Sequence, residues 1–247
     1  MRYFIELSYN GGNYCGWQRQ NNAPTIQEQL ENALATLLRT ATPVTGAGRT
    51  DTGVHASFYV AHFDAEQLNV EWLKYKLNIL LPKDIAIRKI YQVADSAHAR
   101  FDAVQREYTY VIESEKSPFN HHTSWYYSGA LDIDAMNRAA AHLLRYSDFT
   151  TFAKLGSDNK TNICDVRHAE WVRSSRGELI FTIRADRFLR NMIRAIVGTL
   201  VDVGRGRYTP EEFEMIIANR DLSQASTSAP AQGLFLSDIQ YPTRTDE

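Results

Sequence analysis

The run Gly46-Ala47-Gly48-Arg49-Thr50-Asp51-Thr52-Gly53-Val54-His55-Ala56 is the densest concentration of chemistry-bearing residues in the chain. Three glycines around a charged centre indicate a loop whose backbone adopts unusual dihedrals or lies close against something. One carboxylate, Asp51, stands two residues from one guanidinium, Arg49, between small neighbours that leave it accessible. A carboxylate so placed serves as a nucleophile or a base. The same spacing also suits a tight turn in which Asp51 bonds its own backbone, and spacing alone does not choose between the two.

Such a loop needs regular elements on either side to hold it. Residues 3–8 read as a strand ending in the turn-like Asn10-Gly11-Gly12-Asn13. Thr25-Ile26-Gln27-Glu28 is a capping-box pattern, and Leu30, Leu34, Leu37 and Leu38 follow at helical spacing, predicting a helix over 26–39. Residues 57–63 favour a strand, 66–80 a helix stopped by Leu81-Pro82, and 85–93 a strand. The outline then recurs: a strand over 107–114, a helix over 134–146, strands over 166–173 and 178–185, and a helix over 187–203. A helix opened by Thr209-Pro210 follows, then a strand over 234–241. Two α+β halves are expected, 1–103 and 104–247, each laying helices on one face of a sheet.

The bulk numbers exclude several classes. No run approaches the roughly 20 apolar residues that cross a bilayer, and the first residues lack a cleavage signal. Two cysteines suit neither a disulfide framework nor a cysteine-rich zinc site, so a cytoplasmic protein without metal or cofactor is expected. No ligand spacing joins the seven histidines to cysteines or carboxylates, and neither a phosphate-cradling loop nor a dinucleotide fingerprint is present. The formal net charge of −2 does not announce a nucleic-acid binder. Any RNA contact must come from local clustering, and Arg184, Arg187, Arg190, Arg194, Arg205 and Arg207 provide one. On the helix predicted over 187–203, Arg187, Arg190 and Arg194 fall on one face, roughly opposite Leu189, Ile193, Ile196 and Leu200.

The segment from Gly48 to Ala56 resembles the catalytic motif of the tRNA pseudouridine synthase A family. Tyr14-Cys15-Gly16-Trp17-Gln18-Arg19-Gln20 is similar to its N-terminal signature. His98-Ala99-Arg100-Phe101, Arg106-Glu107-Tyr108-Thr109-Tyr110 and Phe188-Leu189-Arg190-Asn191-Met192-Ile193-Arg194 resemble its later motifs in order. The similarity runs from Tyr3 to about Pro242; Thr52 stands where alanine is common in the family. The resemblance implies the pseudouridine synthase fold, two similar halves whose sheets join across an RNA-binding cleft. It also implies a homodimer, and isomerisation of uridines 38–40 in the anticodon stem-loop of tRNA without a cofactor. Asp51 is then the catalytic carboxylate, Tyr108 the tyrosine stacking near the target base, Arg194 the partner of the aspartate, and Arg49 the residue that helps move the nucleotide out of its stack. His55, Arg187 and Arg190 are further candidates for substrate binding.

The chemistry fits these roles. Re-attaching uracil through carbon requires breaking the N-glycosidic bond, rotating the base and removing the C5 proton. An ionised carboxylate can attack C1′ of the ribose, attack C6 of the ring, or assist loss of the base. A neighbouring guanidinium favours that charged form, and burial opposes it. Two rival readings remain at this level: a tRNA-binding protein without catalysis, and a hydrolase that uses Asp51 on a nucleoside.

Overall fold

A computed structural model describes residues 1–156 and 160–242. The chain divides into two compact units, Met1–Arg106 with Leu236–Glu247, and Glu107–Phe235. The strand expected over 234–241 falls within the half expected over 104–247, yet its described residues from Leu236 cluster with the first unit. No helix is long and apolar enough to cross a membrane among the described residues.

Unit 1 runs β1 (Arg2–Tyr9), α1 (Ile26–Leu38), β2 (Thr45–Gly46), β3 (His55–Asp64), α2 (Val70–Leu80) and β4 (Ile85–Val93). β1 pairs antiparallel with both β3 and β4. Side chains alternate across a strand, so Tyr3, Ile5, Leu7 and Tyr9 share one face and are buried. Leu7, Ile5 and Tyr3 stand in register with Tyr59, Ala61 and Phe63 of β3. Helix α1 starts where its sequence says: Thr25, fully buried, accepts from the Glu28 amide at 3.4 Å. Leu30 and Leu34 are buried; α1 packs on α2, and α2 on β4. α2 begins four residues later than its periodicity indicated, because Asn69 caps it by accepting from Trp72 N at 3.0 Å.

Unit 2 contains β5 (Gln105–Glu113, entered from unit 1), β6 (Trp125–Tyr126), α3 (Ile133–His142), β7 (Val166–Arg173), β8 (Leu179–Ala185), α4 (Met192–Gly204) and α5 (Pro210–Asn219). β9 (Leu234–Gln240) carries the chain back into unit 1, where Ser57 Oγ of β3 donates to Leu236 O at 3.5 Å. The units share a device that no local pattern announces. Asn78 of α2 donates to Ile87 O at 2.9 Å and accepts from Ile87 N at 2.8 Å. Asn137 of α3 donates to Trp171 O at 2.9 Å and accepts from Trp171 N at 2.7 Å. In each unit a helix amide thus satisfies both backbone groups of one residue in an edge strand, β4 or β7, a site that otherwise offers unpaired groups to other chains.

The second face of β1 carries Phe4 against His62, Tyr91 and Tyr241. His62 Nδ1 accepts from Ala99 N at 3.1 Å, which requires that nitrogen to be unprotonated. Burial first, then the Arg2 charge and His98, push His62 down to about 4 from its ordinary 6.5, with Asp64 and Asp102 opposing. The unfolded chain therefore takes up a proton between pH 6.5 and about 4 that the native state resists. Stability is complete above pH 6.5 and falls as pH drops toward 4. The denaturant midpoint should decline across pH 6.5 to 4.5, and His62→Gln should flatten that decline. Asp64, held below the carboxylate range chiefly by its hydrogen bond from Arg2, loses its contribution only at lower pH. An equally steep decline in the variant would remove His62 as the cause.

Candidate active site

The loop from Gly46 to Val54 is clamped from several sides within unit 1. Trp17 N donates to Thr50 O at 3.3 Å, Gly53 N donates to Tyr14 O at 3.2 Å, and Val54 N closes a turn on Asp51 O at 3.1 Å. The hydroxyls of Tyr9 and Thr50 meet at 2.9 Å. Tyr59 donates its hydroxyl proton to Gly48 O, and Trp17 stacks on Tyr59 with ring centres 4.1 Å apart. Trp17 is buried, so it braces the loop. Close approach explains Gly46 and Gly16. A Cβ at Gly46 would lie 2.2 Å from the Tyr59 hydroxyl oxygen, and one at Gly16 only 2.3 Å from Thr50 O.

Asp51 is half-buried and Arg49 exposed on this loop. His55 is 0 % exposed, and its Nδ1 accepts from Gly11 N at 3.0 Å. A histidine buried in this way fixes the start of β3. Arg106 had no role on sequence grounds beyond its motif. Its guanidinium donates to Ala103 O at 2.8 Å, Ala47 O at 3.0 Å and Arg100 O at 2.6 Å, tying the Asp51 loop to the turn carrying Arg100. Only the family pattern could have pointed to it, since three carbonyl partners leave no trace in composition or periodicity.

In unit 2, Tyr108 is half-buried, with Phe188 packed edge-on at 5.3 Å. Tyr110 is core: it is fully buried and donates to Pro230 O at 2.7 Å. Burial pushes its phenol up, and Arg194 opposes that shift. Arg194 belongs to the first turn of α4, and every other residue of that helix is buried. Arg194 Nε donates to Ala229 O at 2.7 Å, and Ala229 N returns a bond to Arg194 O at 2.9 Å. Gly198 lets this segment lie flat on the helix, since a Cβ there would stand 2.1 Å from Thr227 O. The segment from Thr227 to Pro230 thus links the Arg194 head to the strand of Tyr108 and Tyr110.

The predicted arginine face is corrected. The helix begins at Met192 behind Asn191, whose φ of 64° lies in the left-handed region, so Arg187 and Arg190 precede it and share no helical face with Arg194. Arg187 donates to Thr161 O at 3.3 Å. Arg184 pairs with Glu107 at 2.5 Å, and Arg205 and Arg207 both reach Asp202, at 3.1 and 3.3 Å. Much of the basic cluster is therefore neutralised within the unit, although Arg190 remains exposed.

The family model described as tRNA pseudouridine synthase matches residues 7–102 and 139–242. A tRNA pseudouridine synthase A of Parabacteroides distasonis is 53% identical over 244 residues, covering 98% of this chain and 96% of the relative. Its counterpart in Bacteroides fragilis is 53% identical over 243 residues, with the same coverage. That of Francisella tularensis subsp. novicida is 38% identical over 245 residues, covering 97% and 94%. A family match over both units, with relatives 53% identical along nearly the whole chain, shows that this α+β chain belongs to the tRNA pseudouridine synthase family.

Proposed function

We propose that the protein isomerises uridine to pseudouridine in the anticodon stem-loop of tRNA, at positions 38–40, with Asp51 as the attacking carboxylate. The observation that carries this reading is the clamp on the Asp51 loop. Backbone bonds linking the loop to Trp17 and Tyr14 and closing the Asp51–Val54 turn, with the Tyr9–Thr50 contact, fix the backbone that carries the carboxylate. A nucleophile held in this way needs little reorganisation when the substrate arrives. Membership of the family makes the protein an enzyme, an isomerase of tRNA uridine. Tyr108 offers a half-exposed ring that Phe188 steadies from the edge, suited to stacking on a base taken out of its helix. Arg194, whose head Ala229 O orients, is a fixed cation of the kind that the resemblance requires.

Uridine isomerisation conserves mass and exchanges the C5 hydrogen with solvent. The purified protein should release tritium from tRNA labelled at uridine C5 while liberating no uracil; free uracil would indicate a hydrolase, and intact label a binder. Mapping pseudouridine in tRNA from cells with and without the protein tests the site. Loss confined to positions 38–40 supports the reading, and loss elsewhere refutes it.

A further inference from the structure

The turn carrying Arg100 and Phe101 was singled out by its motif, yet the proposed chemistry gives it no work. His98 Nδ1 accepts from the amides of Arg100 at 3.1 Å and Phe101 at 3.2 Å. Asp102 accepts from His98 N at 2.8 Å. Together with the bond from Arg106 to Arg100 O, these fix the turn from within, and they present two side chains outward. Phe101 is 75% exposed, with its ring 4.2 Å from that of His98, and the Arg100 guanidinium lies 5.8 Å from the Phe101 ring. A ring displayed in this way is available to stack on or cover a flat apolar surface of a ligand.

Arg100 borders a pocket of about 140 Å³ together with Arg49, Gly48, Gly46, Gln18 and Trp17. Two arginines line it and no carboxylate does. Among the described residues neither guanidinium has an acidic partner, whereas Arg2 is bonded to Asp64 and Arg19 to Glu31. The volume falls below the roughly 300–1,000 Å³ that engulfs a whole small molecule. It suits one anionic group of a larger ligand. Gly48 adds an independent observation. It has no positive φ, and a Cβ built on it meets nothing within 4 Å. Unlike Gly46 and Gly16, it is not required by the chain's own packing, and it leaves bare backbone on the pocket wall.

We propose that this pocket seats one backbone phosphate of the tRNA strand beside the target uridine, gripped by Arg100 across from the Gly48–Arg49 wall, with Phe101 covering the adjoining nucleotide. A phosphate held there would set the register of the strand against the Asp51 loop, because Arg106 bonds both Ala47 O and Arg100 O. The proposal rests on the reading that the chain binds tRNA.

The test measures affinity of the full-length protein for unmodified tRNA over a series of salt concentrations. One lost phosphate contact lowers the slope of log affinity against log salt by about 0.7 for single-stranded RNA. Arg100→Gln should show that change and a loss of about tenfold, appearing in KM rather than kcat. Gly48→Ala, whose Cβ meets nothing within 4 Å and narrows the pocket, should raise KM with its melting temperature unchanged. Transfer RNA carrying a single neutral methylphosphonate should lose affinity for the unsubstituted protein at one linkage, and lose nothing further with Arg100→Gln at that linkage. An unaltered salt slope in Arg100→Gln, or additive losses at every linkage, overturns the proposal. So does a variant that escapes inhibition by inorganic phosphate while binding tRNA normally, since the pocket would then serve a free anion. Failure of the unsubstituted protein to bind tRNA at all would sink the functional reading as well, which keeps the two failures distinct.

Discussion

Asp51→Asn should release no tritium above background from C5-labelled tRNA, a fall of at least about ten-thousand-fold, the scale on which enzymes lose their nucleophile. The amide keeps the shape of the carboxylate but has no charge with which to attack carbon, so binding and chemistry separate cleanly. The fold should tolerate the change, because the loop is held through Thr50 O, Asp51 O, Gly53 N and the Thr50 hydroxyl, none of which the substitution touches. Retained tRNA affinity and an unshifted thermal melt are therefore part of the expected result. Turnover comparable to the unsubstituted protein would end the assignment of Asp51 as nucleophile. Lost turnover accompanied by lost binding would show that the side chain holds the substrate and would leave the attack to another group.

Much of the architecture was legible because local signals and tertiary packing agree. Thr25 and the leucines behind it set α1, and Thr209-Pro210 with Glu212 forms the complete capping box that opens α5. β4 and β7 occupy the ranges their residues suggested. The failures have a common cause, which is that side-chain periodicity is blind to backbone events and to distant partners. Arg187, Leu189, Arg190, Ile193 and Arg194 keep a helical rhythm, yet Asn191 takes a left-handed conformation and the helix starts only after it. The last strand looks the same in sequence whichever unit receives it, and only pairing with residues far earlier in the chain decides. His55 lies in the same motif as Asp51, but a histidine's use depends on what its ring nitrogens meet, here a buried amide from Gly11. The motifs name the charged candidates, while the groups that hold their backbone or head in place, Arg106, Tyr9 and Tyr59 in unit 1 and the Ala229 segment in unit 2, leave no mark in the periodicity.

Gly16→Ala should cost about a hundredfold in kcat as well as stability, and the two losses can be assigned to different causes. Gly16 has φ +87°, which costs an alanine about 1–2 kcal/mol. Its new methyl would also stand 2.3 Å from Thr50 O and 3.2 Å from the Asp51 carbonyl carbon, with backbone rather than a flexible side chain in the way. The loop must retreat, and a displacement near 1 Å at a reacting group costs on the order of a hundredfold. Gly177, in the turn between β7 and β8, is the matched comparison. Its φ is +88°, but a Cβ there meets nothing within 4 Å. Gly177→Ala should lower the melting temperature by a few degrees, through the same backbone strain, and leave tritium release unchanged. Gly16→Ala should add a fall in kcat to a comparable or larger loss of stability. Full kcat in Gly16→Ala would mean that the Thr50–Asp51 backbone moves without consequence, so that the clamp described above is scaffolding and does not aim the carboxylate. Equal activity losses in both variants would trace the effect to global stability. Only a loss of turnover confined to Gly16→Ala locates it in the contact between a glycine and the backbone that carries Asp51.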